Sequence, residues 1–151
     1  MNALAESTIR GAAPADLPRI ERLLADSSLP LAGVKEALPS FLVAEAGNDI
    51  VGVAGLEVCC DNALLRSVAV ASEYRSKGVG RALVMRLIGD AEARGLHALY
   101  LLTTTAEHYF PSFGFRKIDR AQVPDDVRAT EEFTSACPAS ATVMERVLTT
   151  R

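Results

Sequence analysis

The chain is predicted to fold as an α/β (α+β) domain with a mixed central sheet and helices on both faces. Three observations predict this. The apolar runs 41–46, 50–59 and 64–71 are separated only by Gly47-Asn-Asp49 and by a turn at Asp61-Asn62, which reads as an antiparallel meander. The third run leads into a glycine-containing loop and an amphipathic helix. Strand, helix and strand patterns then follow, an alternation that places helices against both sides of a sheet.

Taken in order, Ser7 to Gly11 reads as a short strand, and Pro14 to Leu24 as an amphipathic helix with Leu17, Ile20, Leu23 and Leu24 inward. A short helix is expected over Val34 to Leu38, before the strands Phe41 to Ala46, Ile50 to Cys59 and Leu64 to Ala71. Val79, Leu83, Leu87 and Ile88 recur at helical spacing, which gives a helix from Val79 to Arg94 with Gly95 as its stop signal. A buried strand, Ala98 to Thr103, precedes a short helix, Ala106 to Ser112, and a strand, Phe115 to Asp119. An irregular segment with helical character, Pro124 to Phe133, leads to the last strand, Ala141 to Leu148. With no repeat, low-complexity tract or linker, residues 1–151 read as one domain.

Composition bounds the function. With 151 residues and 49% hydrophobic content, the chain can bury one sizeable core and leaves little room for a second. A net charge of -3 argues against general nucleic-acid binding, which shows as a basic surplus. No apolar run approaches the roughly 18 residues of a membrane span, and the first dozen residues lack a basic start followed by an apolar block. A cytoplasmic protein with no membrane or nucleic-acid partner is therefore expected. Cys59, Cys60 and Cys137 are odd in number and lack CxxC spacing, which favours reduced thiols. Adjacent strand residues point to opposite faces, so Cys59 and Cys60 do not converge on one metalloid, and no metal site is expected.

The run Glu73-Tyr-Arg-Ser-Lys-Gly-Val-Gly-Arg-Ala-Leu83 is the most informative stretch. Gly78 and Gly80 allow a tight turn and close approach to a ligand, while the first amides of the following helix point outward unsatisfied. That combination is an anion site. The bland alternative is a surface turn whose Arg75, Lys77 and Arg81 form a solvated face. The chain has no GxxxxGK[ST] match, which excludes a P-loop, and Leu83 stands where a dinucleotide fingerprint needs its third glycine. What remains is Arg75-Ser-Lys-Gly-Val-Gly80, preceded by Val68-Ala-Val70 on the strand. This resembles the acetyl-coenzyme A loop of the GNAT superfamily of N-acetyltransferases, whose element order matches over essentially the whole chain.

The resemblance implies acetyl-CoA as cosubstrate and direct acetyl transfer in a ternary complex. It implies that the backbone of Val68, Ala69 and Val70 pairs with the pantetheine arm, with the amide of Ala69 or Val70 polarising the thioester carbonyl. Amides from Arg75 through Ser76, Lys77, Gly78 and Val79 to Gly80 would hold the pyrophosphate, with Arg75, Lys77 and Arg81 adding charge. A second segment, Ala106-Glu-His-Tyr-Phe-Pro-Ser-Phe-Gly-Phe115, resembles the family pattern AxxxYxxxGF, whose tyrosine protonates the departing thiolate in many members. Here Phe110 holds that position and Tyr109 precedes it. Tyr109 is a candidate acid or a packing residue, and Phe110 a candidate cofactor wall. Water or Ser112 could also serve, since a thiolate leaves readily near neutral pH.

An ammonium must lose a proton before its nitrogen attacks the thioester. Glu57 is the carboxylate inside the apolar strand Ile50 to Cys59 and is the candidate base, acting through a water if it faces the cleft rather than solvent. His97 and His108 are weaker candidates. An α-amino group titrates near 7.7–8.0 and a lysine near 10.4, so deprotonating lysine at neutral pH costs about 3 to 4 kcal/mol more. One carboxylate base suits an α-amine better.

Ser40-Phe-Leu-Val-Ala-Glu45, Val53-Ala-Gly-Leu-Glu57, Leu64-Leu-Arg-Ser67 and the segment Arg128 to Ala141 resemble the GNAT subgroup encoded beside arsenic-resistance genes. Leu101-Leu-Thr-Thr-Thr105 shares that resemblance and, standing before Tyr109-Phe110, is also similar to acetyltransferases that form N-acetylglutamate. These resemblances imply a small amino-acid-like acceptor, glutamate-like or an arsinic or phosphinic analogue. Arg66 and Arg128 are the candidate carboxylate-binding cations, since arginine matches a carboxylate bidentately. Either could instead pair with nearby acids, Glu131 and Glu132 among them for Arg128. Acetylation of a protein lysine or N-terminus is the alternative enzymatic reading, and a non-catalytic acyl-CoA sensor the alternative of another class. The family resemblance also implies a possible homodimer, which an apolar exposed edge on the final strand would support.

Overall fold

The computed structural model describes residues 7–130, 133 and 141–148. Seven strands form: β1 (Ser7–Gly11), β2 (Phe41–Ala46), β3 (Asp49–Cys59), β4 (Asn62–Val70), β5 (Ala98–Thr103), β6 (Arg116–Ile118) and β7 (Thr142–Val147). The α-helical segments among the described residues are α1 (Leu17–Asp26), α2 (Val34–Ala37), α3 (Val79–Ala93) and α4 (Asp125–Arg128). The strands make one sheet in the order β1-β2-β3-β4-β5-β7-β6, antiparallel at every pairing except β4 with β5.

Side-chain alternation along each strand divides the core between the two faces. Leu42, Ala44, Ala54, Leu56 and Leu65 meet Val79, Leu83, Leu87 and Ile88 of α3. Phe41, Val43, Val53 and Ala69 point the other way, onto Ile20 and Leu24 of α1 and Val34 of α2. Val127 of α4 joins Leu64, Tyr100, Ile118 and Val143 in a third cluster. Burying one such aliphatic side chain contributes about 1.5–3 kcal/mol, so these contacts dock the helices. The expected mixed sheet with helices on both faces is the one observed.

Three local expectations are corrected. The β3–β4 hairpin closes at Cys60-Asp61, not at Asp61-Asn62. Cys59 pairs with Asn62, and the two-residue loop needs a left-handed first residue, which Cys60 supplies at φ 57°. Ala106 to Ser112 is not an α-helix but a turn followed by a single 3-10 turn, Phe110–Phe113, that ends at left-handed Gly114. Pro111 lacks the N–H of an α-helical ladder and crowds the preceding turn, which leaves the shorter form. Finally, β7 lies between β5 and β6. The last strand therefore offers no free edge to a second copy, and β6, with exposed Arg116 and Lys117, ends the sheet instead.

Two irregularities position the site. β4 pairs with β5 only where Asn62, Ala63 and Leu64 meet Ala98, Leu99 and Tyr100. β4 nevertheless runs on to Val70, so its far half has lost the strand on that side. At the same place the β3–β4 register jumps, from Val53 opposite Ala69 to Gly55 opposite Arg66, which puts one extra residue on β4. The bulge holds Ser67 at φ 61° and bends the strand away from β5.

Candidate active site

The gap between β4 and β5 is a cavity of about 220 Å3, lined by Arg66, Ser67 and Val68 on one side and by Leu101, Tyr109 and Phe110 on the other. Ala71 N–H donates to Val51 C=O at 2.8 Å, and Val70 stands opposite Gly52. Antiparallel strands alternate bonded and non-bonded pairs, so the N–H and C=O of Val70 turn away from β3, toward the side that β5 has left, whereas those of Ala69 face β3. Of the two amides considered from sequence, that of Val70 is the one on the open side.

Beyond Val70 the chain makes one 3-10 turn, Ser72–Tyr74, and then a loop with Ser76 at φ 64° and Gly78 at φ 87°. Ala82 N–H donates to Gly78 C=O at 3.0 Å, so the amides of Val79, Gly80 and Arg81 precede the hydrogen-bond ladder of α3 and project from its N-terminus. These residues, with Val70, Tyr74, Arg75, Ser76 and Tyr109, surround a cavity of about 390 Å3. A Cβ on Gly80 would lie 3.3 Å from Val70 Cγ2 and 3.6 Å from Tyr109 Oη, so the glycine keeps the loop against the strand. Arg75 Nε donates to Val70 C=O at 3.0 Å, and the Arg81 guanidinium lies 5.4 Å from the centre of the Phe113 ring. Lys77 is exposed and does not line this cavity, unlike its neighbours in the motif.

Phe110 is buried in the core beneath α3 and forms part of the gap's wall. Tyr109 is 42% exposed, packs edge-on against Phe110 and Phe113 at 5.2 Å each, and lines both the gap and the loop cavity. Burial pushes its phenol pKa above the ordinary value, and the nearby Arg81 charge opposes that shift. The tyrosine at the cleft is thus the one preceding the family position.

On the opposite side of β4, a cavity of about 790 Å3 is lined by Gly33, Glu36, Ala37, Ser40, Leu56 and Glu57, among others. Arg66 Nη1 donates to Glu57 Oε1 at 3.0 Å, with the arginine side chain fully buried and the glutamate 21% exposed. Arg66 Nε also donates to Ser67 Oγ at 3.0 Å, and Nη2 to Pro30 C=O at 3.4 Å. A Cβ on Gly33, itself at φ 81°, would stand 2.9 Å from Arg66 Nη1. Glu57 and Arg66, selected separately from the sequence, are one ion pair at the wall between two cavities.

Arg128, the other candidate arginine, lies apart from this pair. It is exposed, lies 4.0 Å from Asp125 one turn earlier, and lines none of the three cavities. His97 is exposed, and the His108 side chain is 96% exposed beside Glu107, so the structure brings neither to Glu57. The Cys59 thiol is pushed up to about 11, chiefly by burial and then by the Glu57 charge, and Cys60 is exposed in the turn. Cys137, Glu131 and Glu132 lie outside the described residues. Sequence reasoning missed Ser67 and Gly33. Ser67 has no motif signal, because a serine in a strand announces neither a bulge nor a positive φ.

A strand that leaves its parallel neighbour beside an open helix N-terminus defines an acetyl-CoA-dependent N-acetyltransferase of the GNAT family. Residues 38–117 match the acetyltransferase (GNAT) domain model, and the chain belongs to that family. An uncharacterized N-acetyltransferase of Chlorobaculum tepidum is 26% identical over 137 residues, 82% of this chain and 84% of that one. The amino-acid acetyltransferase of Escherichia coli is 29% identical over 90 residues, 58% of this chain and only 20% of that enzyme. Among solved structures, N-acetylglutamate synthase of Neisseria gonorrhoeae, complexed with coenzyme A and N-acetyl-glutamate, has a TM-score of 0.81 at 22% identity, covering 95% of this chain and 35% of that one. Rv2747 of Mycobacterium tuberculosis, in complex with CoA and NLQ, has a TM-score of 0.79 at 26% identity, covering 94% and 99%. No helix among the described residues is long and apolar enough to cross a membrane.

Proposed function

We propose that residues 1–151 act as one catalytic domain in the cytoplasm, transferring acetyl from acetyl-CoA to the amine of a small amino-acid-like acceptor. The acceptor class is glutamate or a glutamate-like analogue, the arsinic and phosphinic ones of the arsenic-resistance subgroup included. The observation that carries this reading is the Glu57–Arg66 pair. It stands between a cavity beside the β4 edge and a second, larger cavity, a placement that supports a cofactor on one side and an acceptor on the other.

Acetyl-CoA enters with its pyrophosphate on the amides between Ser76 and Arg81, with Arg75 and Arg81 adding positive charge. The pantetheine lies along Val68, Ala69 and Val70 as an added strand, pairing with the outward N–H of Val70, and Phe110 forms the wall behind it. Arg75 engages the carbonyl of Val70, which supports a pyrophosphate beside that residue and a thioester deeper, toward the bulge. The acceptor occupies the larger cavity. Glu57 takes the ammonium proton through a water, the amine attacks the carbonyl carbon, and the tetrahedral intermediate collapses with loss of the thiolate. Tyr109, neutral at physiological pH, donates a proton to that sulfur. Arg66 holds the base in place and supplies cationic character to the acceptor side, a role the exposed Arg128 is not positioned to share.

The test has two parts. Calorimetric titration should show acetyl-CoA binding to the wild-type protein and none to Gly80→Glu. Thiol release should then be screened across amino acids, glutamate analogues and peptides. Turnover confined to peptides, or absent with every amino acid, would overturn the acceptor class.

A further inference from the structure

We propose that Ser67 is a catalytic residue whose hydroxyl donates a hydrogen bond to the thioester carbonyl oxygen and to the oxyanion that follows. The inference rests on the reading that acetyl-CoA lies along β4, and it assigns the oxyanion contact to a side chain at the bulge.

Three observations converge on this serine. Its backbone is left-handed at φ 61° in the middle of a strand, where a residue other than glycine is uncommon, and such outliers cluster at functional sites. Its side chain is buried yet borders the gap between β4 and β5, at the depth where the thioester would lie. Its oxygen also accepts the Nε–H of the buried Arg66 at 3.0 Å. Arginine has no acceptor, so the serine proton cannot be directed back at its partner and is left to point elsewhere. The guanidinium in turn makes that hydroxyl a stronger donor, because chains of hydrogen bonds polarise one another.

The arrangement also distributes charge sensibly. One guanidinium touches the proposed base through Nη1 and the proposed donor through Nε. During attack the C–N bond forms, the carbonyl π pair moves onto oxygen, and Glu57, having passed the first ammonium proton on to bulk solvent, takes the second N–H proton through water. Negative charge leaves the carboxylate on one side of Arg66 and appears at the oxyanion on the other. Ser67 keeps its own proton throughout. Collapse returns the electron pair to carbon, breaks the C–S bond and releases the thiolate, which takes its proton from Tyr109.

Ser67→Gly and Ser67→Ala separate the hydroxyl from the bulge, since glycine adopts the positive φ without strain. Both should bind acetyl-CoA within about twofold of wild type while kcat falls by about a hundredfold, the usual effect of losing one oxyanion donor. The C=O stretch of bound acetyl-CoA labelled with carbon-13 at the carbonyl should shift to lower wavenumber in the wild type and revert in both variants. Unchanged kcat in Ser67→Gly, or an unchanged carbonyl shift there, overturns the assignment while leaving the acetyltransferase site intact. Failure of the wild type to bind acetyl-CoA would overturn both.

Discussion

Glu57 and Arg66 sit diagonally across the β3–β4 hairpin, with Arg66 Nη1 3.0 Å from Glu57 Oε1. The pair fixes where a proton can be taken up at the wall of the acceptor cavity. Glu57→Gln preserves the shape and a hydrogen-bond acceptor but removes the base. At pH 7 kcat should fall by about a hundredfold, the low end for general base catalysis, and recover partly as rising pH deprotonates the acceptor unaided. Steady-state rates between pH 7 and 10 check this. A flat ratio of wild type to variant across that range would show that Glu57 is not the base.

Tyr109→Phe should lower kcat more than it changes the KM for acetyl-CoA. Burial keeps the phenol protonated well above neutrality, so the wild-type rate should show no loss attributable to Tyr109 between pH 6 and 9. The check is a pH–rate profile of both forms. An equal rate for Tyr109→Phe would leave proton delivery to water.

Gly55 is the tightest glycine in the sheet, since a Cβ there would run into the ring of Phe41. Phe41 is itself buried against α1 and α2, so it has nowhere to retreat. Gly55→Ala should therefore destabilise the protein by about 3 kcal/mol, at the upper end for overpacking. Chemical denaturation measures it, and Gly11→Ala, which meets nothing, is the control.

How much of this was legible in the sequence depends on the range of the interaction. The β2–β3 hairpin and α3 could be read because turn chemistry and apolar spacing are local. The glycine loop was legible for the same reason. The Glu57–Arg66 pair was not, because it depends on hairpin register. A turn at Asp61-Asn62 would set Arg66 directly opposite Glu57. With the turn at Cys60-Asp61, Arg66 lies opposite Gly55, on the same face as Glu57 but diagonal to it, and only the bulge and burial around it turn its guanidinium onto that carboxylate. The insertion of β7 between β5 and β6 was equally hidden, since no local pattern encodes which strand a distant strand joins. The surroundings of Arg128 were not legible either, because charge alone does not say which way a short helix faces.

Asp16 gives the fold an acid-sensitive joint. Its carboxylate accepts from Arg10 at 2.8 and 3.0 Å, from Arg19 at 2.8 Å and from the Ala13 amide at 2.7 Å. The Arg10 hydrogen bonds, against the opposing effect of burial, hold its pKa down at about 2. A depressed carboxylate stabilises the fold above its unfolded pKa, and that contribution is lost as pH falls from about 4 to 2. Because both arginines are partly exposed, about 1–2 kcal/mol is expected. Asp16→Asn should lower stability at pH 7 by a similar amount and flatten the wild-type decline over that acid range, which urea melts at several pH values would show.

Cysteine labelling should be selective. With its thiol at about 11, Cys59 carries little thiolate at pH 8, whereas Cys60 is exposed. Peptide mapping after brief iodoacetamide treatment should find Cys60 modified well before Cys59. Comparable labelling of both would show that the half-buried site opens readily.

The position of β7 has a consequence for how the chain is made. Among the described residues β6 pairs with β7 alone, and β7 also covers the far side of β5. Until the ribosome has released that late strand, β5 lacks its antiparallel neighbour and β6 has nothing to pair with. The β1–β4 meander and α3 can assemble as they emerge, but the second half of the sheet must wait for Thr142–Val147. Non-local closure of this kind is slow and leaves strand edges open in the interval. A nascent chain stalled before residue 142 should thus protect β2 to β4 from proteolysis while leaving β5 and β6 open to cutting.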